Sequence, residues 1–191
     1  MSDSAPSFLE QSHALDSYFE ALLGGDAPSP APAPCLPEGR DAPVPAWAVP
    51  SFEAMLFRVA GLKLAMPTLK LVRVEAYPEA LAPADAGHPW VVGRFAGAYG
   101  EATLIDLARI VIPARYRAGA PDAAAGARII LFGGGGWAFA CDQDVEIMTL
   151  EAHAVRWATR HTSRPWLAGT VMAHSCGLLD VEALIDQADA G

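Results

Sequence analysis

From residue 51 onward, the apolar residues come in short runs separated by turn-forming residues. The runs are five to ten residues long, rich in β-branched and aromatic side chains, and bounded by Gly, Pro and Asp. Such runs are typical of strands, and helical spacing is largely absent from them. The predicted strands are residues 53–60, 62–67, 68–77, 89–98, 102–106, 127–132, 137–142 and 145–152. The pattern therefore predicts a mostly β protein.

The first 50 residues have a different pattern. Residues 8–23 place four apolar side chains at i, i+3, i+4 and i+7, the stripe of an amphipathic helix. The stripe consists of Leu15, Tyr18, Phe19 and Leu22. Residues 26–50 hold eight of the sixteen prolines, which predicts an extended, polyproline-like spacer. We therefore expect an amphipathic segment at 1–25, a Pro/Ala-rich linker at 26–50 and a folded domain at 51–191.

The apolar stripe of the first segment has two interpretations. A short helix is marginal alone, so it could dock back on its own domain. Alternatively, it is a short linear motif, held on a spacer, that binds another protein. The 25-residue spacer favours the second interpretation, in which Leu15, Phe19 and Leu22 are protein-binding residues.

An internal repeat runs through the β region. "HPWVVG" at 88–93 returns as "RPWLAG" at 164–169, and "LIDLARI" at 104–110 returns as "LLDVEAL" at 178–184. A third match has an offset of 75 residues and pairs Gly61, Leu62, Leu64 and Ala65 with Gly136, Trp137, Phe139 and Ala140. Three matches in one order predict two copies of a β unit of about 75 residues.

The repeat gives a structural explanation for the four consecutive glycines, Gly133 to Gly136. The first copy has "VAG" at this place, a plain strand–turn–strand connection. The glycines are therefore predicted to form a hairpin tip with positive φ angles. A phosphate-binding loop would lead into a helix through Lys and Ser or Thr, whereas "WAF" follows here.

Composition and charge narrow the class of protein. The chain has 191 residues, of which 52% are hydrophobic, and a net charge of -9 without a cluster of basic residues. Proteins that bind nucleic acids or anionic membranes usually carry such a cluster, so neither is expected as a partner. No apolar stretch would span a membrane, and "MSDSAPSFLE" lacks the features of a signal peptide, so a cytoplasmic location without membrane insertion is expected. The three scattered cysteines predict reduced thiols and no disulfide.

The residues that could carry chemistry lack the required spacing. His153, His161, His174, Cys141 and Cys176 form no CxxC, HxxxH or HExxH motif, which disfavours a metal site. Ser175 follows His174, but neighbouring side chains in a strand point to opposite faces, and the sequence is not a GxSxG elbow. We therefore predict no catalytic residue, no metal and no cofactor.

Two aspartates occupy equivalent positions in the repeat. Asp106 and Asp180 each follow the end of a Leu-rich strand, so both are predicted to cap a turn or short helix rather than to act as an acid–base pair. The helix after Asp180 covers residues 180–188, and Leu184 and Ile185 should face the body of the fold.

The order of these motifs resembles the CheW-like domain of bacterial chemotaxis over residues 52–188. The motifs are "FRVAGLKLAMPTLKLVRV", "PWVVG", "GEATLIDLARIV", "RIILF", "WAFACDQDVEIMTL", "RPWLAGTV" and "LLDVEALI". The resemblance implies two interlocked, SH3-like, five-stranded β-barrel subdomains that act as a scaffold without catalysis. It also implies that the domain binds the regulatory domain of a CheA-type histidine kinase and the tips of methyl-accepting chemoreceptors.

The resemblance also points to a binding surface. It implies a partner-facing groove around Val92, Arg94 and Ala96, together with Tyr99, Gly100 and Glu101. The family usually carries Arg-Gly where this chain has Tyr99-Gly100, and Tyr cannot make the bidentate ion pairs of Arg. Trp137, beside the glycines, is expected either to anchor a partner or to pack against the other subdomain.

The extension before the domain is similar to that of ParP-type polar chemotaxis array proteins. That resemblance implies that residues 8–50 recruit a ParA-like ATPase (ParC) and that the protein lies at the cell pole with the receptor array. Two alternatives stay open. One is an ordinary CheW protein that couples receptors to CheA, and the other is a small-molecule-binding β domain, which would need a deep pocket with convergent polar groups.

Overall fold

A computed structural model describes residues 43–83, 88–114, 128–142, 145–158 and 164–189. The predicted helix over 8–23, with Leu15, Phe19 and Leu22, lies outside these residues. Most of the predicted linker lies outside them as well.

Strands dominate the described residues, as the hydrophobic pattern predicts. Eleven strands and two short α-helices, α1 at Leu107–Val111 and α2 at Val181–Asp189, occur within the described ranges. The strands are β1 Ser51–Val59, β2 Leu62–Pro67, β3 Leu71–Ala76, β4 Val91–Gly97, β5 Gly100–Ile105, β6 Arg128–Phe132, β7 Trp137–Cys141, β8 Glu146–Glu151, β9 Val155–Trp157, β10 Leu167–Val171 and β11 Cys176–Leu179.

Two sheets form from these strands, and each sheet contains strands from both copies of the repeat. Sheet A has the order β8-β1-β2-β11-β10-β9, and sheet B has the order β3-β6-β7-β5-β4. The first copy supplies β1 to β5 and the second supplies β6 to β11. Each copy thus gives its first hairpin to one sheet and its later strands to the other, which interlocks the two sheets.

The two sheets repeat the same pairing at positions about 75 residues apart. The parallel pair β2–β11 in sheet A corresponds to the parallel pair β5–β7 in sheet B. Equivalent backbone hydrogen bonds run from Asp106 N to Trp90 O at 2.7 Å and from Asp180 N to Trp166 O at 2.8 Å. Both tryptophans are buried, with 8% and 4% of their surface exposed, so they occupy equivalent core positions.

Among the described residues, sheet B has the five strands that the resemblance implies, whereas sheet A has six, so the expected number of strands is wrong for sheet A. The additional strand is β9, which pairs with β10 at three positions, including Trp157 opposite Gly169. The first copy has a single bridge at the equivalent place, between Ala82 and Arg94. The second copy thus has a short strand at the place where the first copy has one isolated bridge.

Three apolar clusters hold the sheets together. The largest lies between the sheets and includes the close pair Phe57 and Phe139, whose ring centroids are 5.2 Å apart. The other two clusters lie on the opposite face of each sheet and contain Phe52 and Leu178 in sheet A and Phe95 in sheet B. Beyond their first residues, β2 and β6 are buried on both faces except at Lys63 of β2, which explains their nearly continuous apolar sequences.

Both helices begin at the predicted caps. The Asp106 carboxylate accepts a hydrogen bond from the N–H of Arg109 at 3.2 Å, and the Asp180 carboxylate accepts one from Ala183 at 3.1 Å. Leu184 is 1% exposed in the central cluster, and Ile185 packs against that cluster. The predictions for Asp106, Asp180 and the C-terminal helix are therefore confirmed.

The end of the predicted linker is not an extended spacer. Residues Ala46–Ala48 form a 3-10 helix, and the side chain of Ala48 is fully buried. The Trp47 ring packs edge-on against Phe52 at 5.1 Å and Trp157 at 5.8 Å between centroids. The prediction for 26–50 is wrong in this part, because a tryptophan and an alanine within the Pro-rich stretch have an apolar surface on which to pack.

Candidate protein-binding surface

The outer face of strand β4 carries three of the residues predicted to bind a partner. Alternate residues of a strand point to opposite faces, and here Gly93 and Phe95 are buried whereas the intervening side chains are exposed. The exposed side chains are Val92, Arg94 and Ala96. Val92 is 45% exposed, which is high for a branched aliphatic residue in a sheet.

Strand β5 extends this face through a cross-strand ion pair. Glu101 lies directly opposite Ala96, and Thr103 lies opposite Arg94. The Arg94 Nη1 atom is 3.6 Å from the Glu101 Oε1 atom, and both side chains are exposed to solvent. Such an exposed pair contributes about 0–1 kcal/mol to stability, so it can be rearranged by a partner at low cost.

The described residues cover only part of the outer edge of β4. The N–H and C=O groups of Arg94 both bond to Ala82, at 2.9 and 2.8 Å. Backbone groups two residues further along a strand point to the same side, so those of Ala96 face this edge. Strand β4 is the terminal strand of sheet B, and an edge of this kind can accept a short extended segment of another protein.

Tyr99 lies at the tip of the β4–β5 hairpin and rests on the glycine turn. Its side chain is 58% exposed. A Cβ atom added at Gly135 would lie 2.9 Å from the Tyr99 Cβ atom, so the lack of a side chain at Gly135 makes room for the tyrosine. The neighbouring Gly100 has φ of +115° and is the first residue of β5.

The four glycines form the predicted hairpin tip between β6 and β7. Gly133, Gly134 and Gly135 have φ angles of 58°, 70° and 94°, as expected for a tight turn that requires glycine. The C=O of Gly136 accepts a hydrogen bond from the N–H of Thr103 at 2.9 Å. Strand β7 follows the turn, which agrees with its interpretation as a hairpin rather than a phosphate loop.

Trp137 occupies the border between this surface and the core. It pairs with Thr103 across the parallel strands β5 and β7. The side chain is partly buried and packs against the central cluster, near Gly133 and helix α2. Trp137 therefore packs in the fold and keeps part of its ring accessible beside the candidate surface.

The structure thus brings six predicted site residues together on sheet B and adds two that the sequence did not indicate. The six are Val92, Arg94, Ala96, Tyr99, Gly100 and Glu101, with Trp137 at their border. The additional residues are Gly135, which supports Tyr99, and Thr103, which joins β4 to the glycine turn. The sequence predicts Gly135 as part of the glycine turn but carries no signal for its contact with Tyr99.

Among the described residues considered for chemistry, none lies on strand β4 or β5. Among the described residues, no group of three His, Cys, Asp or Glu side chains is placed to hold a metal ion. His161 lies outside the described ranges. Burial raises the pKa of both Cys141 and Cys176 to about 11, so the two thiols stay protonated at neutral pH. Neither helix in the described part of the chain is long and apolar enough to cross a membrane.

Comparison with known proteins identifies the fold. No family model matches the sequence, and no curated protein matches it significantly. The structure is similar to the crystal structure of the scaffolding protein TtCheW from Thermoanaerobacter tengcongensis, with a TM-score of 0.55 and 12% sequence identity. The similarity covers 68% of this chain and 84% of that protein. The predicted fold class is therefore confirmed as a mostly β, two-sheet, CheW-like fold.

Proposed function

We propose that this protein is a non-catalytic scaffold of a bacterial chemotaxis array. The observation that carries the proposal is the interlocked two-sheet fold, which resembles a CheW scaffolding protein over 68% of the chain. Its proposed partners are the regulatory domain of a CheA-type histidine kinase and the tips of chemoreceptors. The protein acts by binding these partners and requires no cofactor.

The outer face of β4 and β5 is the proposed docking surface. It combines the apolar side chains of Val92 and Ala96 with the exposed ring of Tyr99, and the Arg94–Glu101 pair forms its only ion pair among the described residues. A mixed surface of this kind buries apolar area on binding, and the Arg94–Glu101 pair, which lies between Val92 and Tyr99 along the hairpin, can orient a partner. Because Tyr99 stands where the family usually has Arg, we expect its ring to contact a receptor through packing and one hydroxyl hydrogen bond.

The N-terminal segment supplies a further function in this proposal. Residues 8–50 recruit a ParA-like ATPase (ParC), through the apolar stripe of Leu15, Phe19 and Leu22, and thereby place the protein at the cell pole in the cytoplasm. The support is the amphipathic pattern followed by a Pro-rich stretch. A tethered motif of this kind raises the effective concentration of one partner near another.

A pair of matched variants tests the docking surface. Val92→Glu places a charge on the apolar part of the proposed surface near the start of β4, and Ile147→Glu makes the same change at another exposed apolar strand position, on β8 of sheet A. We expect Val92→Glu to raise the Kd for the kinase regulatory domain or the receptor tip by about ten-fold or more, since a buried unpaired charge is costly. Ile147→Glu should leave both values within about two-fold of the wild type. Isothermal titration calorimetry measures the Kd of each variant for each partner. An equal rise in Kd for the two variants would contradict the assignment of the docking surface to β4 and β5.

Deletion of the N-terminal segment separates the proposal from an ordinary CheW protein. The deletion should end at residue 42, because Trp47 and Ala48 pack on the domain. If the segment recruits a localisation ATPase, the 43–191 protein should keep kinase binding and lose its polar position in fluorescence microscopy. An unchanged polar position would favour the ordinary coupling role. If the full chain binds neither the kinase nor the receptor, both the polar scaffold and the ordinary coupling role are rejected. That result would favour a small-molecule-binding domain.

A further inference from the structure

One end of sheet A carries a loop pair that is related by the repeat to the one around Tyr99. In sheet B, the two-residue β4–β5 loop lies over the four-glycine β6–β7 loop. In sheet A, the β1–β2 loop, which corresponds to β6–β7, has only two residues. The β10–β11 loop, which corresponds to β4–β5, is the longer one and covers residues 172–175. His174 lies in this longer loop, 75 positions after Tyr99. The two copies therefore build comparable loop pairs with different side chains.

A cleft of about 520 Å³ opens beside this second loop pair. Leu56 and Phe57 form part of its apolar wall. Its charged or titratable lining residues are Arg58, Lys63, His174 and Glu146. Glu146 is the one carboxylate among the residues that line the cleft, so cationic groups outnumber anionic ones there.

Arg58 and Lys63 face each other across the β1–β2 hairpin and are both exposed. Two like charges directly opposite each other in a sheet are unfavourable unless an anion compensates them. Four other cations of the described residues, namely Lys70, Arg73, Arg94 and Arg109, pair with carboxylates. Within the described ranges, Arg58 and Lys63 make no such pair. The hairpin therefore presents two positive charges that form no ion pair with a described carboxylate, on a chain whose net charge is -9.

We infer that this cleft binds an acidic peptide segment of a protein partner. Asp and Glu carboxylates of the segment accept charge-assisted hydrogen bonds from Arg58 and Lys63, while an apolar residue beside them contacts Leu56 and Phe57. A small-molecule site would be expected to aim desolvated polar groups into the cleft. The one buried side-chain polar atom without a partner among the described residues is Nε2 of His88, on the turn before β4. The inference goes beyond the proposed function, which uses sheet B.

Fluorescence anisotropy of a labelled peptide tests this inference on the full chain. The probe is a peptide of about twelve residues, about half of them glutamate and one leucine, and a matched peptide carries lysine in place of glutamate. We expect the glutamate peptide alone to bind, and its Kd to rise with salt concentration because the contacts are between exposed charges. The double variant Arg58→Glu with Lys63→Glu should raise that Kd by about ten-fold or more.

A double variant on sheet B serves as the matched control. Arg73→Glu with Arg128→Glu changes the net charge by the same amount at two other exposed positions, and it should change the Kd by less than about two-fold. Circular dichroism checks that each variant is folded, and Arg58→Gln with Lys63→Gln replaces the charge reversal if that variant does not fold. The inference is overturned if the wild type does not bind the glutamate peptide, or if both double variants lose affinity equally. It is also overturned if free succinate competes as strongly as the peptide.

Discussion

At the scale of single residues, Cys141 and Cys176 show how burial controls reactivity in this fold. Only 2% of Cys141 and none of Cys176 is exposed. Loss of hydration is the main reason why the pKa of each thiol rises from 9.0 to about 11, and the nearby Asp142 carboxylate raises that of Cys141 further. Arg128 and Lys63 oppose these effects at Cys141 and Cys176, respectively. Both thiols therefore behave as small apolar core residues.

The raised pKa of Cys141 predicts how stability changes with pH. Above pH 9.0 the thiol ionises in the unfolded chain but stays protonated in the folded chain until about pH 11. The contribution of the protonated thiol is therefore complete below pH 9.0 and is lost as the pH rises towards 11. We expect the free energy of unfolding to fall more between about pH 8 and about pH 10.5 in the wild type than in Cys141→Ala, which cannot titrate there. Urea denaturation at the two pH values measures the free energy of unfolding of each protein. An equal decrease in the wild type and in Cys141→Ala would contradict the prediction.

At the scale of elements, the glycine turn links three parts of the molecule. Gly135 lies beneath Tyr99, and Gly136 bonds to β5. A Cβ atom at Gly133 would lie 2.9 Å from the Cδ1 atom of Ile185, on helix α2. The turn therefore determines where the tip of the candidate surface lies relative to the rest of the fold.

Two neighbouring glycines allow this role to be tested. Gly134→Ala and Gly135→Ala each place alanine at a left-handed φ, which should reduce stability by about 1–2 kcal/mol in both variants. The Cβ of Gly134 would meet nothing within 4 Å, whereas that of Gly135 would displace Tyr99. We therefore expect Gly135→Ala alone to shift the backbone amide resonances of residues 97–101. Similar shifts in Gly134→Ala would show that the turn conformation, and not the contact with Tyr99, positions the tip.

The elements also show which features a single sequence can predict. Runs such as residues 62–67 and 137–142 were predictable because both faces of these strands are buried, which produces continuous apolar segments. The cap at Asp180 was predictable because it depends on a hydrogen bond between its carboxylate and a backbone N–H three residues later. Strand β9 was not predicted, since three residues carry too little pattern and it exists through its pairing with β10. The contact of Tyr99 with Gly135 could not be predicted either, because it joins two turns that are distant in sequence.

At the scale of the whole molecule, the exchange of hairpins makes the two copies depend on each other. In sheet A, β1 and β2 of the first copy lie between β8 and β11 of the second copy. In sheet B, β6 and β7 of the second copy lie between β3 and β5 of the first. The central apolar cluster likewise contains residues of both copies, including Phe57 and Phe139. The sequence repeat therefore marks two halves that share one core rather than two separate units.

This dependence predicts that neither half folds alone. Residues 1–120 keep the β1–β2 and β4–β5 hairpins but lack β8 and β11, which flank the first hairpin, and β6 and β7, which lie between β3 and β5. Residues 121–191 have the converse defect. A half-chain would expose the apolar faces of its central hairpin and leave strand edges unpaired, so it cannot offset the entropy of ordering its chain. We expect each half to lack a cooperative thermal transition by circular dichroism, whereas the intact protein unfolds in one. An equimolar mixture should recover strand content and elute as one complex in size-exclusion chromatography, because every pairing in both sheets is then available. A sigmoidal transition in either half alone would mean that the two copies are independent units and that the exchange is not needed for folding.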